Sequence, residues 1–252
     1  MKKHIFVSLI VLLALLMASC APAAAPAEEA PAEEAPAEEE AAVEEDPCAA
    51  DRCGCAVIPQ GQTIKIGLAA PLTGGDSSFG IDAKNAALLA VADAEPFEGF
   101  QFELVAEDDQ GLPEGGAAVA NKLVADPTVV AIAGHLFSGA TAAAMPIYEE
   151  ACIPMMSQSA TNPDLTTLGS SVFNRIPFTD AMQGTAAAEF IYNNLGIRKI
   201  AVLHDGGDYG KGLANIVKER FEELGGEVVA FEGITTKEAD YTPILTTIAA
   251  KE

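Results

Sequence analysis

Three kinds of side chain in this 252-residue sequence are equipped for chemistry: cysteines, histidines and adjacent carboxylates. Cys48, Cys53 and Cys55 cluster at x4 and x spacing with no histidine nearby. Zinc sites use regular Cys and His pairs, so a local disulfide of open pairing is the better expectation, and no metal is expected. Cys152 stands between apolar residues ahead of an apolar run and reads as a buried core thiol. Of the histidines, His135 and His204 each follow an apolar run, where a structural hydrogen-bonding role is expected over a catalytic one. The pairs Asp108-Asp109 and Glu149-Glu150 have no associated nucleophile. Gly210-Lys211 fails the phosphate-loop pattern at both ends, with Asp205 in place of the first glycine and Gly212 in place of the hydroxyl. Gly134-His-Leu-Phe-Ser-Gly139 lacks the Gly-x-Ser-x-Gly spacing of a nucleophile elbow, and no Gly-x-Gly-x-x-Gly follows the first apolar run. The expectation is a protein without catalysis and without a cofactor.

The elements that would position these residues alternate regularly. Strands are expected at 64–70, 102–106, 129–133, 154–157, 172–176, 199–204 and 227–231, and helices at 80–94, 113–125, 140–150, 180–195 and 210–224. A last amphipathic segment runs from Tyr241 to the end, and the aperiodic stretch 176–181 reads as a crossing between two α/β units. Apolar strands alternating with helices call for parallel sheets covered on both faces. In such folds ligands bind beyond the carboxyl ends of the strands. That rule selects loops 71–79, 134–139, 157–162 and 204–209, all rich in small and hydroxyl residues. Hydroxyls and free backbone N–H groups at a helix start suit a carboxylate or another anion.

Charge narrows the partners. The chain has 37 Asp and Glu against 14 Lys and Arg, a net charge of −23. This argues against nucleic acid, whose phosphates require a basic face, and against adsorption to anionic headgroups. Ten of the acids fall in residues 21–46, which repeat Ala-Pro-Ala-Glu-Glu and contain no base. Prolines and like-charge repulsion predict a solvated tether there. Ahead of it, Lys2, Lys3 and His4 precede an apolar run from Ile5 to Met17, the length of a signal-peptide core and too short to span a bilayer. The run closes in Met17-Ala-Ser-Cys20, which resembles the lipobox of bacterial lipoproteins, with Met17 where leucine is usual. That resemblance implies acylation of Cys20 after removal of residues 1–19.

The four loops together carry a second resemblance. Ile64-Lys-Ile-Gly-Leu-Ala-Ala-Pro-Leu-Thr-Gly74, Ala120-Asn-Lys122, Gly134-His-Leu136, Ser159-Ala-Thr-Asn-Pro163, and His204-Asp205 followed by Tyr209-Gly210 occur in order. In them the sequence resembles the type I periplasmic binding proteins of the branched-chain amino acid (Leu/Ile/Val) group, the receptors of ABC transporters. The resemblance implies a two-lobe α/β architecture with parallel sheets flanked by helices. Residues 20–62 would then form the acidic tether with its cysteine cluster, 63–178 the first lobe and 179–252 part of the second. It also implies site residues. Ser138 would bind the ligand carboxylate, Thr161 and the carbonyl of Ser159 the α-ammonium, with Ala160 between them. Tyr209 would come from the second lobe, Phe79 would form an apolar rim in place of a tyrosine, and Leu136 and Phe137 would line the pocket beside Ser138. Phe137 replaces a cysteine that is disulfide-bonded in a relative.

By that resemblance the protein is an extracytoplasmic, lipid-anchored receptor that closes over an amino acid and presents it to a membrane permease. A sensor ectodomain using the same cleft is the alternative. The family's acidic partner for the α-ammonium lies beyond residue 252. The second lobe is therefore expected to be incomplete and the chain a fragment or truncated product.

Overall fold

The structure is a computed structural model that describes residues 48–49 and 52–251. Strands β1 (Ile64–Ala70), β2 (Phe102–Asp108), β3 (Val129–Gly134), β4 (Met155–Ser157) and β5 (Phe173–Arg175) form one sheet in the order β2-β1-β3-β4-β5. Every pairing in it is parallel. The helices between them are α1 (Ser77–Asp93), α2 (Pro113–Val124), α3 (Ser138–Ala151) and the single turn α4 (Asp164–Thr167).

Apart from Lys65 and Ser157, the β1, β3 and β4 runs are apolar because helices cover both faces of the sheet. On one face Leu123, Val129, Ile132, Tyr148, Met155 and Phe173 form the main core. On the other, Leu68, Ala70 and Leu136 pack with Ala83, Ala87 and Leu104. The α2–α3 crossing depends on Gly116, where a Cβ would stand 2.5 Å from the Ala140 carbonyl oxygen.

A second, smaller sheet pairs β6 (Lys199–His204) with β7 (Glu227–Gly233) in parallel. It carries α5 (Asp180–Glu189), which runs on through a wider turn at Phe190–Asn194, and α6 (Asp208–Glu223) and α7 (Thr242–Ala249). Its core is thin: Ala188, Ala214, Phe221 and Ala230 are its buried apolar side chains. Phe221 meets the Tyr192 ring edge-on at 5.8 Å, and the Arg198 guanidinium lies 3.8 Å over the same ring. Arg220 ties α6 to α5 through Glu189.

Cys152 corrects the sequence reading. It is half-buried and bonded to Cys53, and Cys48 is bonded to Cys55. Its apolar neighbours suggest a core thiol, but Cys152 ends α3 in the left-handed conformation (φ 56°), which turns it toward the incoming segment 52–58. The same junction holds an Arg52–Glu149 ion pair at 2.9 Å. Glu149 also accepts from the Ser170 and Ser171 hydroxyls and from the Ser171 and Val172 N–H groups. Those bonds, the serine hydroxyls first, pull its carboxyl down to about 2 against the cost of partial burial.

The signal run, Cys20 and the acidic repeat lie outside the described residues. Among the described residues, no helix is long and apolar enough to cross a membrane.

Candidate functional site

Each of the three longer helices facing the sheet ends begins two or three residues earlier than apolar periodicity predicts. Their first turns are Ser77-Ser78-Phe79, Ser138-Gly139-Ala140 and Asp208-Tyr209-Gly210. These turns face the carboxyl ends of the strands, so they carry small and polar residues and the exposed aromatics Phe79 and Tyr209 in place of core side chains.

The loop after β1 is held by Asp108. Its Oδ1 accepts from the N–H groups of Leu72 and Gln110 at 2.8 and 2.9 Å, and its Oδ2 from the Thr73 hydroxyl. Partial burial works to raise this carboxyl, but the Thr73, Gln110 and Leu72 bonds outweigh it and leave it below the ordinary range. Asp109 instead turns inward and meets His135 Nδ1 at 2.7 Å, while His135 Nε2 meets the Tyr148 hydroxyl at 3.2 Å. All three side chains are fully buried. The histidine is thus a structural link, as its position after a strand suggests. Burial, then the nearby Asp109 charge, raises the Tyr148 hydroxyl far above its usual value.

The backbone of His135 carries the next layer. Its carbonyl accepts from the Ser157 hydroxyl at 2.6 Å, and Ser157 Oγ in turn accepts from the Ala160 N–H at 2.9 Å. Arg175, at the end of β5, closes the loop from the other side by donating to the carbonyls of Asn162 and Ala160 at 2.7 and 3.3 Å. Loop 157–162 is therefore fixed by buried bonds from His135 and Ser157 and by half-buried bonds from Arg175. Sequence reasoning did not single out Arg175, and no motif marks it.

On this frame sit the expected ligand residues. Ser138 is buried at the start of α3, which has no side-chain cap, and its Oγ accepts from the Asn162 N–H at 3.3 Å. The hydroxyl proton and the first N–H groups of α3 remain able to serve an anion. Thr161 is half-buried and its Oγ1 has no hydrogen-bond partner. Ser159 is exposed, and Ala160 is buried against the main core. Tyr209 (45% exposed) and Phe79 (61% exposed) stand in the first turns of α6 and α1. Leu136 is buried in the smaller apolar cluster, and Phe137 is half-buried against the same cluster.

The residue the sequence reading passed over is Asp180. It begins α5 directly after the crossing, and its N–H donates to the Thr161 carbonyl at 3.0 Å. Its carboxylate is fully buried, and neither oxygen has a hydrogen-bond partner. Burial pushes this carboxyl upward, and the Thr161 hydroxyl and the Arg175 charge offset only part of that. The Thr161 hydroxyl lies near this carboxylate without a hydrogen bond to it, and the next residue, Asn162, reaches Ser138 at the start of α3. One end suits a cation with several N–H donors, and the other suits a carboxylate. Among the described residues, no group of His, Cys, Asp and Glu is arranged to hold a metal ion.

Comparison with known proteins gives concordant matches. Residues 63–252 match the periplasmic binding protein family. A leucine-, isoleucine-, valine-, threonine- and alanine-binding protein of Pseudomonas aeruginosa is 38% identical over 186 residues, 73% of this chain and 50% of that one. Among solved structures, a leucine-binding protein of Thermotoga maritima superposes with a TM-score of 0.70 at 32% identity, covering 75% of this chain and 54% of that one. A branched-chain amino acid transporter substrate-binding protein of Streptococcus pneumoniae, solved with isoleucine, gives 0.67 at 32% identity over 76% of this chain and 55% of its own. The chain spans about half the length of the relatives it matches.

Proposed function

The chain belongs to the periplasmic binding protein family, and from that premise we propose that it captures a branched-chain or related α-amino acid for delivery to an ABC-transporter permease. The observation that carries this reading is the pairing of an uncapped α3 start at Ser138 with the unpartnered Thr161 hydroxyl and Asp180 carboxylate. Ser138 and the α3 N–H groups receive the carboxylate; charge-assisted bonds of this kind are about twice as strong as neutral ones. Thr161, the Ser159 carbonyl and Asp180 receive the ammonium. Tyr209 and Phe79 wall the aliphatic side chain. Binding is completed when the second lobe, residues 179–252, moves against the first, because only the closed form touches both. No bond is made or broken.

In the same reading residues 1–19 are a signal peptide, Cys20 carries the lipid, and residues 20–62 are the tether that holds the lobes off the membrane outside the cytoplasm. Disulfides in the cysteine cluster support an oxidising compartment.

Thermal unfolding with three probes tests the ligand. L-Leucine contains both charged groups, leucinamide lacks the carboxylate and 4-methylpentanoate lacks the ammonium. Saturable stabilisation by L-leucine alone, abolished in Ser138→Ala, is expected. Equal stabilisation by leucinamide would remove Ser138 from the role assigned to it.

A further inference from the structure

Asn162 makes hydrogen bonds in several directions, and one of them leaves its own lobe. Its N–H donates to Ser138 Oγ at 3.3 Å, its Oδ1 accepts from the Asp164 N–H at 2.9 Å, and its carbonyl accepts from Arg175 at 2.7 Å. Its Nδ2 donates to the backbone carbonyl of Asp208 at 2.9 Å. Asp208 opens α6, on the second sheet. Among the described residues, no other side-chain hydrogen bond joins residues 64–175 to residues 199–251.

Two glycines border this contact closely. A Cβ on Gly212 would lie 3.2 Å from Asn162 Nδ2, and a Cβ on Gly139 would lie 3.0 Å from Asp208 Oδ2. Both glycines belong to helix starts that face each other here, α3 and α6. Asn162 is itself buried, so its amide is not a solvated surface group that found a partner by chance.

We propose that Asn162 is a positioning residue that couples occupancy of Ser138 to contact between the two lobes. The inference rests on the amino-acid reading of the site and adds to it the route by which the site reports its state. A carboxylate that accepts the Ser138 O–H proton makes Ser138 Oγ a better acceptor for the Asn162 N–H, since linked hydrogen bonds polarise one another. That bond fixes the Asn162 backbone, and the Asp164 turn fixes its amide plane. Nδ2 then points at the Asp208 carbonyl. A contact present in only one of two conformations shifts the equilibrium by its own worth. For one neutral hydrogen bond, that is roughly 2- to 12-fold.

Asn162→Asp separates this role from folding. The carboxylate still accepts from the Asp164 N–H, but it sets an oxygen against the Asp208 carbonyl. Nitroxides carried on a keto amino acid at the exposed positions Glu114 and Glu219, one on each lobe, report the interlobe distance without touching any cysteine. In the full chain, the distance distribution of Asn162→Asp should broaden and lengthen. L-Leucine should bind roughly 3- to 10-fold more weakly through faster dissociation, with association unchanged. Gly212→Ala, which crowds Nδ2 from the other side, should act in the same direction. Distance distributions identical to the parent in both variants overturn the proposal. If the parent itself fails to bind L-leucine, the amino-acid reading falls, and the distance comparison still decides whether Asn162 holds the lobes together.

Discussion

Replacing Asp180 with Asn should make the protein more stable and less able to bind. Both carboxylate oxygens are buried without a partner, and leaving such a group unsatisfied costs about 1–3 kcal/mol. Its place in the first turn of α5 returns part of that, about 0.3–1 kcal/mol for a carboxylate at a helix N-terminus. The amide keeps the shape, carries no charge and can donate to Thr161 Oγ1. With the Thr161 hydroxyl and the Arg175 charge also easing the carboxylate, the net gain at pH 7 is up to about 2 kcal/mol, and at this chain length each kcal/mol moves Tm by roughly 2–4 °C.

The pH dependence has a definite sign. The folded-state value of Asp180 is raised above the ordinary 3.8, so the folded form prefers the protonated acid. The parent's penalty is absent below 3.8 and grows as pH rises through the folded value. The advantage of Asp180→Asn should thus be full at pH 7 and vanish toward pH 3.8. Circular dichroism melts of both proteins across that range measure it, and the response to L-leucine should be lost in the variant. A variant that is less stable at pH 7, or whose advantage is the same at every pH, would refute the argument.

Three further outcomes follow from the packing. Cys53→Ser opens a bridge with a sequence separation of 99 and should cost about 2–4 kcal/mol in denaturant unfolding, more than Cys48→Ser, whose bridge spans 7. Tyr148→Phe leaves His135 Nε2 without its partner in the core and should cost about 1–3 kcal/mol, read by the same melts, with the fold retained. Glu149, held down to about 2 by its serine and backbone donors, contributes stability that is present above its ordinary 4.5 and lost as pH falls toward 2. Glu149→Gln should flatten that part of the stability profile, and an unchanged acid limb would show that the junction is not held by this carboxylate.

Much of the frame was legible because its strands are apolar on both faces and its helices show a spacing that solvent imposes. The β1, β3 and β6 positions follow directly from that pattern. Helix starts were read late at Ser77, Ser138 and Asp208 because first turns that face a binding site are not selected for core packing. Ser138 and Thr161 were reached through the resemblance to the periplasmic binding proteins, since a hydroxyl in a loop or at a helix start looks the same whether it caps or binds. Asp180 could not, since an aspartate at a helix start looks the same whether it is solvated or buried without a partner. Cys152 was misread for a related reason: one residue in the left-handed conformation reverses the direction that its apolar neighbours suggest. Arg175 and Asn162 act through backbone carbonyls, and contacts to carbonyls leave no trace in residue type.

The central claim is that an amino acid is held by its two charged groups between the α3 start and the Thr161–Asp180 pair. Titration of the isotope-labelled protein with L-leucine, followed through its backbone amide resonances, tests this directly. Saturable shifts at Ser138, Gly139, Thr161, Asn162 and Asp180, absent with leucinamide, are predicted. Saturable shifts confined to other residues, or the same shifts with leucinamide, would contradict the account.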